Sequence, residues 1–166
     1  DSNAKFICFR GNILTGLGVV GAKAGTLMYG ASGNRYNDIV VYANHISYGG
    51  DSENIAENDR HGIAIGGYMN NIWMIDNHVH NMGGDSVQVS HGANFTTYDV
   101  YIGRNVMHDD RENAVDIKEA NQVFVSQNEA WGYEACSSAP GEAFVVHYDP
   151  HDIYWLYNVV HDAEYG

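Results

Sequence analysis

An asparagine recurs along this chain at the same place in a repeated pattern: Asn12, Asn44, Asn77, Asn105, Asn128 and Asn158, spaced by 32, 33, 28, 23 and 30 residues. Each closes a short apolar, β-branched or aromatic run, such as Ile39-Val40-Val41-Tyr42, Ile72-Trp73-Met74-Ile75 or Val123-Phe124-Val125. Two residues after each stands an aliphatic or small residue: Leu14, Ile46, Val79, Met107, Ala130 and Val160. A recurrence in this range marks a solenoid, in which each repeat buries its apolar face only by stacking on its neighbours.

Aligned on the asparagines, the residues five and three positions earlier form alternating inward pairs: Ile7/Phe9, Ile39/Val41, Ile72/Met74, Val100/Ile102, Val123/Val125 and Ile153/Trp155. The asparagine is expected at a tight corner between two strands, in the left-handed conformation it tolerates, its amide bonded to the asparagines above and below. A third strand follows a variable loop. Its expected inward residues are Leu27, Ile63, Val87, Val115 and Phe144, then Tyr29, Ile65, Val89, Ile117 and Val146. Its outward columns are Met28, Ala64, Gln88, Asp116 and Val145, and Gly30, Gly66, Ser90, Lys118 and His147. Apolar residues recur with period two, without a sustained helical period. The expectation is an all-β fold, a right-handed parallel β-helix of about six three-strand rungs roughly 4.8 Å apart with an asparagine ladder. Both ends fall within the repeat. Residues 1–166 read as one β-helix domain, either a segment of a longer solenoid or one with uncapped ends.

Composition narrows the function. A formal charge of −13 with eight Lys and Arg in all, none clustered, argues against a nucleic-acid partner. No run of about 18 apolar residues offers a membrane-inserting helix, and the first residues lack a signal-peptide pattern. Cys8 and Cys136 sit far apart in the repeat, so no disulfide is expected between them. Twelve Tyr and three Trp suggest a surface that meets sugars or another chain. Four of these aromatic positions form a column, since Trp73, Tyr101, Phe124 and Tyr154 each stand four residues before an asparagine and face outward. Such a stripe calls for cover by a loop, by another subunit through self-association, or by a sugar.

The chemistry-bearing residues gather around the third strand. Lys118, His147 and His151 are candidates to move or balance a proton, and Asp116 is placed to hold the lysine. Gln88, Ser90, Asp116 and Tyr148 are candidate substrate-binding residues on the same face. Asp85, Glu112, Asp116 and Glu142 begin or flank successive third strands and are candidate Ca²⁺ ligands, the alternative being solvated acids in a chain with 21 of them. His80, His108 and His161 form a further column three residues after an asparagine. With one histidine per rung they read as packing residues.

The turn Asp149-Pro150-His151 resembles the Asp-Pro-His motif of the mannuronan C-5 epimerases, although Val146 stands where that family has a tyrosine. The rungs Tyr101-Ile102-Gly103-Arg104-Asn105 and Val123-Phe124-Val125-Ser126-Gln127-Asn128 resemble, at the level of fold, the wider superfamily of β-helical polysaccharide lyases, epimerases and glycosidases. The resemblance implies Asp149 and His151 in a groove, proton abstraction at C5 of a uronate, an acidic polysaccharide as partner, and a place outside the cell or on its surface. A glycosidase would instead need two carboxylates about 5 to 9.5 Å apart, for which Asp116 and Asp149 are the available pair. The competing class is a non-catalytic structural, adhesive or filament-forming module that self-associates through its ends or its aromatic stripe.

Overall fold

A computed structural model describes residues 5–17, 24–30, 34–53, 59–90 and 97–165, and side chains throughout except those of 24–27, 29 and 90. The described residues form three parallel sheets and no helix. The first sheet stacks Lys5–Arg10, Tyr36–Tyr42, Met69–Ile75, Thr97–Gly103, Ala120–Ser126 and His151–Leu156 in that order. The second stacks Ile13–Thr15, His45–Ser47, His78–His80, Val106–His108, Glu129–Tyr133 and Val159–Ala163. The third stacks Ala24–Gly30, His61–Gly67, Val87–Ser90, Val115–Lys118 and Phe144–His147. Chain order visits the sheets in rotation, which makes the fold a β-solenoid of about 5 turns.

The core is built from the expected columns. Ile39, Val41, Ile72, Met74, Val100, Ile102, Val123 and Val125 from the first sheet are fully enclosed. They meet Ile46, Val79, Met107 and Ala130 from the second sheet and Ile63, Ile65, Val87, Val89, Val115 and Ile117 from the third. Register pairs like with like, for example Val100 with Ile72 and Val123, and Val87 with Val115. The third sheet departs from expectation at its first strand, where Leu27 pairs with Ala64 and Met28 with Ile65. Met28, expected outward, packs against the core. Thr26 rather than Leu27 stands beside Ile63, so apolar alternation alone misses the register by one.

The asparagine ladder is complete. The backbone N–H and side-chain Nδ2 of each asparagine donate to Oδ1 of the next, at 2.9–3.0 Å from Asn12 through to Asn158. Nδ2 also donates back to a carbonyl of the preceding rung: Asn44 to Phe9, Asn77 to Val41, Asn105 to Met74, Asn128 to Ile102 and Asn158 to Val125. The left-handed residue at this corner is not the asparagine but the one before it. Gly11, Ala43, Asp76, Arg104, Gln127 and Tyr157 have φ between 53° and 65°. Two more left-handed columns bend each rung. Phe6, Asp38, Asn71, Asp99, Gln122 and Asp152 lie early in the first-sheet strands; Gly16, Tyr48, Asn81 and Asp109 directly follow second-sheet strands, and Gly132 and Asp162 lie one residue before the ends of the last two. For the side chains that are not glycine, asparagine or aspartate, such a conformation costs about 1–2 kcal/mol, which the surrounding ladder bonds must offset.

Replacing a mid-ladder asparagine should therefore cost much more than replacing the first. Asn105→Ala strips hydrogen-bond partners from Asn77, Met74 and Asn128 inside the core, a loss of about 3 kcal/mol or more at about 1–3 kcal/mol per orphaned group. Asn12→Ala removes only a part-buried amide bond to Asn44 and should cost about 1 kcal/mol. Equilibrium urea denaturation of the two variants checks the order.

Candidate functional site

The ends of the third-sheet strands Val115–Lys118 and Phe144–His147, with the turns that precede them, enclose a groove of about 330 Å³. Asp59, Glu112, Asp116, Lys118, Glu142, His147 and Tyr148 line it, with Asn113 and the segment Ser138-Ala139-Pro140. At its base is Asp116, 2% exposed. One carboxylate oxygen receives the Lys118 ammonium at 2.9 Å, and the other lies 3.0 Å from Nδ1 of His147. The register explains this arrangement. Lys118 pairs with His147 across the two strands, and Asp116 shares their outward face one step back.

Burial pushes the Asp116 carboxyl above the ordinary aspartate value, and Asp85 behind it adds to the rise against the pull of Lys118 and His147. For Lys118, burial favours the neutral form. The hydrogen bond and charge of Asp116 outweigh it and hold the ammonium above the ordinary lysine value. The histidine contact also sets a tautomer, since a carboxylate oxygen can only accept. Nδ1 of His147 therefore carries the proton and Nε2 holds the lone pair when the ring is neutral.

Of the residues singled out from sequence, the groove gathers Asp116, Lys118, His147, Tyr148, Glu112 and Glu142. Asp149 and His151 are not among its lining residues. Asp149 lies on the exposed turn that follows and His151 opens the next first-sheet strand, 3.9 Å from it. Gln88 is half-buried and donates to Asp85 at 3.0 Å. The strand carries Ser90, whose side chain lies outside the described residues. Asp85 is enclosed behind the groove, its carboxylate engaged by Asn113 at 2.8 Å as well as by Gln88. Of the four acids expected to gather around Ca²⁺, three have partners within the chain: Asp85 with Asn113 and Gln88, Asp116 with Lys118 and His147, and Glu112 with the Ser138 hydroxyl at 2.9 Å; Glu142 lines the groove.

Two clusters escaped the reading of the sequence. Asp59, His61 and Glu112 bring their ligand-type atoms within 4.8 Å of one another at the groove's inner edge. His61 stands two residues before Ile63, in a column it shares with Asp85, Asn113 and Glu142, so nothing in the sequence pattern set it apart. Its Nδ1 lies 3.1 Å from the Asp85 carboxylate and 3.0 Å from the Asp85 N–H, contacts that belong to opposite protonation states. Burial opposes the charged ring, yet the Asp85 hydrogen bond and nearby acids raise its pKa above the ordinary histidine value, which favours the ring as donor to the carboxylate. The second cluster is Asp110, Ser86 and Tyr133, under the turns between second and third sheets. Asp110 accepts from the Met82 N–H at 2.6 Å and is bonded to the Ser86 hydroxyl, which meets the Tyr133 hydroxyl at 2.9 Å. Burial pushes Asp110 well above the ordinary aspartate range.

The expected aromatic column is in register: Trp73, Tyr101, Phe124 and Tyr154 pair on successive strands, and Trp73, Phe124 and Tyr154 are 40–44% exposed. Cys8 and Cys136 are free thiols. Comparison with protein-family models, with curated proteins and with solved structures finds no match for this chain.

The buried carboxyl makes a pH-dependent prediction. Folding holds the Asp110 proton more tightly than the unfolded chain does. Its contribution to stability is therefore full below about pH 4, the ordinary aspartate range, and is lost as pH rises toward its raised folded value. Asp110→Asn keeps an acceptor for Met82 and a partner for Ser86 but removes the titration. Its stability relative to the unsubstituted chain should rise as pH increases above the ordinary aspartate range, from about pH 4 upward. Thermal denaturation across that range checks it, and parallel profiles would contradict the assignment.

Proposed function

We propose that this β-solenoid acts on a polysaccharide carrying uronate residues, by lyase or C5-epimerase chemistry, in the groove around Asp116. The observation that carries the reading is the double engagement of one buried carboxylate, which presents a lysine and a histidine side by side at the mouth of a groove. Removing a proton next to a uronate carboxylate needs a base, a positive charge for the developing enolate and, for elimination, an acid at the leaving oxygen. In this reading His147 is the base through Nε2, because Asp116 holds the opposite nitrogen protonated. Lys118 is the cation rather than a second base, since its ammonium is stabilised. Tyr148, on the groove wall, is placed to donate to the leaving oxygen. Elimination moves the C5 proton to His147 as the C4–O bond breaks; epimerisation returns a proton to C5 from the opposite side.

The groove is rich in carboxylates, so an acidic glycan would be repelled unless neutralised. Ca²⁺ enters the proposal as a bridge between the sugar carboxylate and Asp59, Glu112 and Glu142. Asp149, on the turn that continues from Tyr148, and His151, at the start of the next strand, would meet sugar units beyond the groove. A polymeric substrate of this kind implies work outside the cell or on its surface.

A second reading has its own support. The exposed column of Trp73, Tyr101, Phe124 and Tyr154 suits a non-catalytic module that self-associates or lies along a glycan. The two readings part in one set of measurements. Incubation with uronate-containing glycans, with and without Ca²⁺, should give either ultraviolet absorbance from an unsaturated product or exchange at C5 in deuterated water. His147→Gln should lower that rate by about 10²- to 10⁴-fold. If neither signal develops with any glycan, the catalytic reading is wrong. A mass by light scattering that grows with concentration would then favour the module.

A further inference from the structure

We propose that His45, His78 and His80 form a binding site for a transition-metal ion of the zinc class on the outward face of the second sheet, independent of the groove. The site arises from a coincidence of two columns. Residues three after each asparagine supply His80 and His108, while residues one after supply His45 and His78, which no single-column reading of the sequence combines. The register places His45 beside His78, and His80 beside His108. On the three-residue strand His78–His80, the buried Val79 points inward and both histidines point out.

The ligand-type atoms of His45, His78 and His80 lie within 4.8 Å of one another. Two nitrogen pairs are already in contact: His45 Nε2 with His80 Nε2 at 2.9 Å, and His78 Nε2 with His108 Nε2 at 2.8 Å. Each contact needs one proton between two lone pairs, and a metal ion can take that proton's place. A tetrahedral zinc site with bonds of about 2.0–2.1 Å separates its ligand nitrogens by about 3.4 Å, so small rotations of these half-buried rings suffice. The backing is also that of a metal site. His80 Nδ1 lies 2.6 Å from Oδ1 of Asn81, and His108 Nδ1 lies 2.8 Å from the Asp109 carboxylate. Such outer partners fix the tautomer and leave Nε2 as the lone-pair nitrogen. Clustered neutral imidazoles suit zinc, cobalt, nickel or copper and not the oxygen-seeking calcium or magnesium.

The full chain titrated with Co²⁺ should take up one ion and develop visible absorption, and one equivalent of Zn²⁺ should displace it. His45→Gln and His80→Gln should each weaken uptake by at least about 100-fold, and Asn81→Ala by about 10- to 100-fold as an outer-partner loss. His161→Gln, on the same face but beyond Trp131, and His61→Gln, in the groove-side cluster, should bind like the unsubstituted chain. Far-ultraviolet circular dichroism checks that each variant is folded; should one fold poorly, the other histidine variant decides. The proposal is overturned if the unsubstituted chain takes up neither ion, if both histidine variants bind undiminished, or if His61→Gln alone abolishes uptake.

Discussion

One side chain at one corner sets the geometry on which every other column depends. The amides of the four inner asparagines, Asn44, Asn77, Asn105 and Asn128, are used to capacity: Oδ1 takes two donors from the rung before, while Nδ2 reaches back to a carbonyl and forward to the next Oδ1. Few residues could do the same. Aspartate lacks the donor and would stack like charges about 4.8 Å apart, and glutamine carries its amide one carbon too far from the corner. Buried where water cannot substitute, an unmatched amide would cost more than the corner itself, so the position tolerates only one rung-to-rung alignment. That alignment carries Lys118 to His147 and His45 to His78.

The fold was legible because its strongest constraints are periodic. Inward pairs such as Val100/Ile102 and Val123/Val125 alternate beside a fixed asparagine, and each rung repeats the message. The first strand of the third sheet was misread because Leu27 and Met28 are both apolar, so alternation there is ambiguous by one residue, and register is settled by the backbone pairing that places Met28 beside Ile65. The corner conformation was misassigned for a different reason. Asparagine is the residue that ordinarily tolerates positive φ, yet Ala43, Arg104 and Tyr157 adopt it so that the asparagine after them can face inward. Propensity identifies which residue bears such a conformation most cheaply; the ladder decides which residue must bear it.

The groove was half legible. Asp116, Lys118 and His147 share an outward face by strict alternation, so their meeting follows from sequence spacing once the register is known. Asp59, His61, Asp110 and Ser86 do not, because they belong to turns and strand starts whose lengths vary from rung to rung. The buried acids of these turns are individually satisfied: Asp85 by Asn113 and Gln88, Asp110 by Met82 and Ser86. Arg111, also buried, donates to the Ser52 and Ala135 carbonyls and so ties two loops across the turn. Polar groups of this kind make a turn adopt one conformation, since any other would leave a charge or an amide without a partner.

A solenoid separates its faces in a way that a compact globule does not. The groove occupies the outward side of the third sheet and the histidine cluster that of the second, with the fully buried columns of Val79, Met107, Val87 and Val115 between them. Outward residues on one sheet contact the adjacent rungs of that sheet far more than the other sheets, so substitutions in the two clusters should be close to additive in their effects on stability. The same separation means that neither cluster needs the other to form. What they share is the ladder, and a change there would disturb both at once by moving one rung against the next.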